Sequence, residues 1–233
     1  TGAGDVDAED RLYEGLRFRI GLQLLKPTGM RDRTAFFDAQ VMTALGAGID
    51  QMVIVGAGYD GRAMRFSQPG VRWFEVDHPA TQPDKERRAR DTGADLSNVV
   101  FLAVDLLDGD IAGELQRAGH DLTRPSLVIC EGLFGYLPNA AGRQLCDRLA
   151  AASAAGSRFA ASFLVGRIGR STVAQRVVDR VLSSIGEPRL GHFSPGVAEA
   201  MVTRSGWRPI ESSRTAPSRM SGSHLLLLAA ERV

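Results

Sequence analysis

Met52-Val-Ile-Val-Gly-Ala-Gly-Tyr-Asp-Gly61 is the stretch on which the reading of this chain turns. An uninterrupted apolar run from Met52 to Val55 reads as a strand buried on both faces, because a parallel strand covered by helices on either side needs no polar alternation. Gly56 and Gly58, with Ala57 between them, then give a turn whose backbone a ligand can approach without meeting bulky side chains. The spacing Gly56-x-Gly58-x-x-Gly61 satisfies the dinucleotide fingerprint, so the turn alone leaves the ligand open.

Outward from that turn, three further hydrophobic runs each stop on a carboxylate. They are Val71-Arg-Trp-Phe-Glu-Val-Asp77, Val99-Val-Phe-Leu-Ala-Val-Asp105 and Ser126-Leu-Val-Ile-Cys-Glu131. In a doubly wound sheet the C-terminal strand ends line the ligand crevice, so Asp77, Asp105 and Glu131 are expected to converge there, with Asp60 inside the turn. Acids at such positions can also be loop residues or helix N-caps, but a register of three beside a glycine turn favours a site. These acids bear on the ligand. A dinucleotide brings a pyrophosphate, and two like charges at about 4 Å repel by about 4 kcal/mol at an effective dielectric of about 20. S-adenosylmethionine carries no phosphate, and its sulfonium, ammonium and ribose diol all favour nearby acceptors. The acids therefore favour S-adenosylmethionine, with an NAD(P)-dependent oxidoreductase as the alternative that the glycine spacing permits.

The units around the turn alternate: helix 60–67, strand 71–77, helix 80–93, strand 99–105, helix 110–119, strand 126–130, helix 139–154 and a fifth strand over Arg158–Leu164. Segments 207–212 and 223–230 read as two strands with no helix between them, an antiparallel pair at one sheet edge. The expected fold is thus α/β, a doubly wound, seven-stranded, mostly parallel Rossmann-like sheet with an antiparallel edge strand and an N-terminal helical cap. Within a single domain of residues 1–233, residues 1–48 form the cap, 49–165 the cofactor-binding half, 166–206 a lid and 207–233 the terminal strand pair. In the cap, Leu12, Leu16, Ile20 and Leu24 recur at helical spacing, and Phe37, Val41 and Leu45 share one face of a second helix from Arg31 to Leu45. The charge run Asp84-Lys-Glu-Arg-Arg-Ala-Arg90 reads as a solvated helix face.

Composition bounds the rest. The chain has 233 residues, 44% of them hydrophobic and 24% charged, with a net charge of +1, which is one globular domain with no electrostatic footprint for nucleic acid or membrane. It has no apolar stretch of about 18 residues and no signal peptide, and it opens on Thr1 rather than Met, as a trimmed or tagged start would. Cys130 and Cys146 have neither disulfide nor metal-site spacing and read as reduced core residues of a cytoplasmic protein.

Several blocks in order carry a family resemblance: Arg33-Thr34 with Asp38, Gln51 to Arg62, Phe74-Glu-Val-Asp-His-Pro79 followed by Lys85, Val104-Asp-Leu106, and Cys130-Glu-Gly-Leu-Phe-Gly-Tyr-Leu-Pro138. From about Arg31 to its end the chain resembles the leucine carboxyl methyltransferase-like family, which includes bacterial small-molecule and polyketide O-methyltransferases. The resemblance implies that Arg33 holds the carboxylate of S-adenosylmethionine, Asp77 its ribose, and Asp105 with Leu106 its adenine. Glu131 receives the methionyl ammonium, Gly56, Ala57 and Gly58 form the turn, and His78 packs nearby. Phe134 and Tyr136 are expected to face substrate, and His192, in the lid, is expected to serve as substrate contact or base beside Tyr136; no metal is implied. The acceptor is expected to be a carboxylate or hydroxyl of a small molecule, such as a polyketide-type natural product, and the chain a monomer or homodimer. A member of the fold that has lost methyl transfer satisfies the same sequence features. Gly61 stands where the family more often has Thr, and the segment before Trp207 is short where the family builds its substrate lid.

Overall fold

The computed structural model describes residues 30–165, 191, 193–215 and 224–233. The first cap helix, residues 166–190 of the expected lid and His192 lie outside them. Its elements are α1 (Met30–Gly46), β1 (Gln51–Val55), α2 (Arg62–Arg65), β2 (Arg72–Asp77), α3 (Gln82–Asp91), β3 (Val99–Ala103) and α4 (Ile111–Arg117). After them come β4 (Leu127–Cys130), a 3₁₀ turn at Phe134–Tyr136, α5 (Asn139–Ala151), β5 (Arg158–Val165), α6 (Pro195–Arg204), β6 (Trp207–Arg214) and β7 (His224–Arg232).

The seven strands form one sheet in the order β3-β2-β1-β4-β5-β7-β6. Strands β1 to β5 are parallel, β7 runs antiparallel to β5, and β6 runs antiparallel to β7 as the edge. The edge is blunted against further pairing by Pro209, which has no amide to donate, and by a bulge between Pro209 and Glu211.

Every residue of β1 is buried because the sheet is covered on both faces. Val53 and Val55 join one core with Phe74, Val76, Val128, Phe163 and the inner residues of α4, α5 and α6; Met52 and Ile54 join the other with Trp73, Ile129 and the α1 residues Phe36, Phe37, Val41 and Ala44. Side chains alternate across a strand, so successive β1 residues feed opposite cores. The expected cap helix is therefore a layer of the sandwich, packed on one face of the sheet. Among the described residues no helix is long and apolar enough to cross a membrane.

Two elements depart from the sequence reading. The helix expected over 60–67 shrinks to four residues, because Asp60 accepts hydrogen bonds from Arg62 through both its amide and its guanidinium and holds the entry as a turn. Within the charged helix α3, Lys85 turns inward and is only 5% exposed, so the solvated face is broken at that residue.

Trp207 fastens the edge of the sheet to the core: it is 1% exposed and its ring stacks on Phe159 at 5.1 Å. Trp207→Ala is expected to destabilise the protein by about 3–5 kcal/mol, the range for truncating a buried aromatic. Denaturant melts check this, and a loss under about 1 kcal/mol would show that the edge pair does not rely on the stack.

Candidate functional site

The strand order reverses direction of growth between β1 and β4, and ligands of open α/β sheets bind outside the carboxyl ends of strands at such a switch point. Pairing of Val55 with Val76, Ile54 with Ile129 and Asp77 with Ala103 brings the residues just beyond β1, β2, β3 and β4 to one rim. Gly56, Asp77, Asp105 and Glu131 stand along it.

The glycine turn is pinned to β2. Gly56 donates to Val76 O at 2.8 Å and Gly58 donates to the Asp77 carboxylate at 2.5 Å. Gly56 sits at φ 68°, and a Cβ there would meet a Leu133 methyl at 2.9 Å, so both conformation and space call for glycine. Asp77 also accepts from the amide of His78 at 2.6 Å and the hydroxyl of Thr81 at 3.1 Å. A carboxylate offers about four lone-pair sites and three are taken, so Asp77 can still accept one hydrogen bond, from a ligand hydroxyl. His78 accepts from the Ala80 amide through Nδ1, which assigns its proton to Nε2, the nitrogen 3.9 Å from Asp105.

The densest part of the rim is a cluster of charges around Arg62. Its guanidinium is 2% exposed and lies over the Phe37 ring, 5.4 Å from the centroid. Nε donates to Asp38 at 2.8 Å, and Nη1 donates to both Asp60 and Glu131 at 2.6 Å. Arg65 forks onto Asp38 at 2.8 and 3.0 Å. Arg33 comes from α1, and its Nε stands 2.5 Å from the other Glu131 oxygen, as an ion pair that is off the hydrogen-bond direction. Three carboxylates, Asp38, Asp60 and Glu131, thus face three guanidiniums. Burial alone would raise the Asp60 carboxyl, but Arg62, Lys85 and the hydrogen bonds from Arg62 outweigh it and hold Asp60 below the usual carboxylate range.

Behind the turn a second buried pair ties α3 to β2. Lys85 Nζ lies 2.9 Å from Glu75 and donates to the Asp60 carbonyl at 2.7 Å. Glu75 is 1% exposed, and burial pushes its carboxyl up to about 7 against the pull of Lys85.

The sequence-selected residues thus separate into groups. Arg33, Gly56, Ala57, Gly58, Asp77, His78, Asp105 and Glu131 lie along or beside the rim, with Leu106 buried just behind it. Tyr136 is 45% exposed on the turn after β4. Phe134 is placed differently from Tyr136. It is fully buried, stacked on Phe163 at 4.6 Å and edge-on to Phe193, and packs in the core. His192 lies outside the described residues. Cys130 and Cys146 are buried and unpaired with each other as a disulfide; burial raises both thiols, that of Cys146 to about 12, which leaves them unreactive. Arg62, Glu75 and Lys85 lie within the sequence blocks that carry the family resemblance but have no role assigned by it. The available signal was electrostatic: several acids at one sheet edge require buried cations, and Arg62 and Lys85 are basic residues close to the turn in sequence.

Comparison with known proteins places this geometry in context. The family model for leucine carboxyl methyltransferase matches residues 21–150. A relative in Mycobacterium marinum, named a candidate S-adenosyl-L-methionine-dependent methyltransferase, is 42% identical over 150 residues, covering 63% of this chain and 48% of its own length. One of the same name in Mycobacteroides abscessus is 39% identical over 169 residues, covering 72% of this chain and 54% of its own. The chain spans about half the length of the curated relatives it matches. A solved candidate methyltransferase from Thermobifida fusca superposes with a TM-score of 0.66 at 17% identity, covering 86% of this chain and 80% of that one. The Burkholderia thailandensis 1,6-didemethyltoxoflavin-N1-methyltransferase, solved with bound S-adenosylhomocysteine, gives 0.59 at 18% identity, covering 97% and 88%. At these identities the structural likeness establishes the fold.

The buried pair yields a pH prediction. A carboxyl raised from 4.5 to about 7 on folding contributes stability that is fully present below about pH 4.5 and is lost as pH rises through about 7. Glu75→Gln removes that titration. The stability of the Gln chain relative to wild type is therefore expected to improve between pH 4.5 and pH 7.5, by about 3 kcal/mol at most. Melts of both chains across that range test it, and parallel curves would show that Glu75 does not resist ionisation.

Proposed function

Since the chain belongs to the leucine carboxyl methyltransferase family, we propose that it binds S-adenosylmethionine at this rim and transfers the methyl group to a carboxylate or hydroxyl of a small molecule. The observation that carries the reading is the juxtaposition of Arg33 and Glu131 beside a glycine turn whose amide is held by Asp77. A guanidinium and a carboxylate side by side match the two charges of an amino-acid zwitterion, and Asp77 supplies the acceptor that a ribose diol requires. The same geometry opposes a dinucleotide. Amides that would greet a pyrophosphate are answered by carboxylates, Gly58 by Asp77 and Arg62 by Asp60, and Asp60 is held ionised.

When bound, S-adenosylmethionine supplies an electrophilic methyl group on a sulfonium. The chain's own work is to bind and orient: Arg33 and Glu131 hold the amino-acid end, Asp77 the ribose, and Asp105 with Leu106 the adenine. Alignment of donor and acceptor and exclusion of water are the main demands of such a displacement. A carboxylate acceptor asks least of the protein, since it is ionised at pH 7. A phenol needs a base or a neighbouring cation, and His192 and Tyr136 are the residues that the sequence offers for that task. A polyketide-type acid or phenol fits this acceptor class, and the monomer or homodimer works in the cytoplasm.

Calorimetry is expected to give S-adenosylhomocysteine a micromolar dissociation constant, about −8 kcal/mol, and no comparable affinity for NAD or NADP. Asp77→Asn, which keeps the size of the side chain but turns one acceptor oxygen into a donor, is expected to weaken S-adenosylhomocysteine binding by about 1.5–3 kcal/mol, the range for hydrogen bonds to a charged group. Tight dinucleotide binding without S-adenosylhomocysteine binding would overturn the proposal.

A further inference from the structure

Glu131 is held by two arginines in unlike ways. Arg62 grips Oε2 through an aligned hydrogen bond at 2.6 Å and is itself 2% exposed. Arg33 stands 2.5 Å from Oε1, its Nε makes no aligned hydrogen bond among the described residues, and its side chain is 17% exposed. The one contact is aligned and made by a buried guanidinium; the other is close, misaligned and made by a partly exposed one.

Arg62 is also fixed from behind. Asp38 on α1 takes its Nε, Asp60 in the glycine turn shares its Nη1, and Phe37 lies beneath it. A guanidinium buried among three carboxylates from three elements is stable only while all remain in place, because an unpaired buried charge costs several kcal/mol. This network fixes the position of Arg62 before any ligand arrives, and Arg62 in turn fixes Glu131.

We infer that Arg62 is a positioning residue, which holds the Glu131 carboxylate so that its second oxygen is presented to the ammonium of the cofactor's amino-acid end, while Arg33 is the exchangeable partner that moves from Glu131 to the ligand carboxylate. The inference rests on the proposed cofactor. The exchange replaces one ion pair with two and leaves no buried charge alone, because Arg62 stays on Glu131 throughout. Its effect is therefore confined to the amino-acid half of the ligand. The adenosine half, held by Asp77 and Asp105, does not depend on it.

The test compares S-adenosylhomocysteine with 5′-methylthioadenosine, which keeps the adenosine half and lacks the amino acid, by calorimetry on the full chain. Arg62→Met is expected to lose about 30-fold or more for S-adenosylhomocysteine and less than about 3-fold for methylthioadenosine. Arg62→Lys keeps the buried charge but not the fork, and is expected to lose about 10-fold for the first ligand and nothing for the second; it carries the test if the Met variant does not fold. On top of Glu131→Gln, the Arg62→Lys change is expected to alter S-adenosylhomocysteine affinity by less than about 2-fold, which a merely structural role would not produce. Equal losses for both ligands, no loss for either, or an undiminished effect on top of Glu131→Gln would overturn the inference while leaving the proposed cofactor standing. A wild-type chain that binds neither adenosine ligand would overturn both.

Discussion

A parallel sheet delivers the carboxyl ends of its strands to one edge, and in this chain that edge collects acids: Asp60 in the turn after β1, Asp77 at the end of β2 and Glu131 just after β4. So many like charges in a partly buried rim can coexist only with cations among them, and the Arg62 guanidinium is the one that reaches furthest in. It joins α1, the glycine turn and the end of β4 through Asp38, Asp60 and Glu131. The shape of the site depends on that compensation. The turn enters α2 as it does because Asp60 is bound to Arg62, and α1 lies where Arg33 can reach Glu131 because Asp38 is bound to the same guanidinium.

The second buried pair extends the same logic along β2. Glu75 and Asp77 lie two residues apart and so point to the same side of the sheet, one inside and one at the rim. Lys85 answers Glu75 and then reaches the Asp60 carbonyl, so α3 is tied to the turn through its backbone as well as through charge. Burial raises Glu75 while the arginine cluster holds Asp60 low, which gives two neighbouring carboxylates opposite protonation tendencies. The one bound to the Arg62 guanidinium is the one kept ionised.

Much of this fold is legible in the sequence because its strands are of the simplest kind. Apolar runs such as Met52–Val55 and Leu127–Cys130 are buried on both faces, and acids or glycines mark where they end. The strand-end acids were likewise readable, since ending a strand is a local property. Pairing is not local. Arg62 meets Asp38 and Glu131 across 24 and 69 residues of chain, and no periodicity records such contacts. Lys85 sits in a run of charge and turns inward because helical rotation, rather than composition, decides which of those side chains faces β2. Phe134 shows the same limit: it stands three residues beyond a rim acid, and its packing against Phe163 and Phe193 is a contact that sequence position does not record.

A crystal structure of the protein with S-adenosylhomocysteine tests the central claim most directly, because it reads both halves of the charge exchange at once. The account predicts the ligand carboxylate on Arg33, its ammonium on the Glu131 oxygen that Arg33 has left, and the Arg62–Glu131 hydrogen bond unchanged. A ligand bound with its amino-acid end elsewhere and the Arg33–Glu131 pair intact would contradict it.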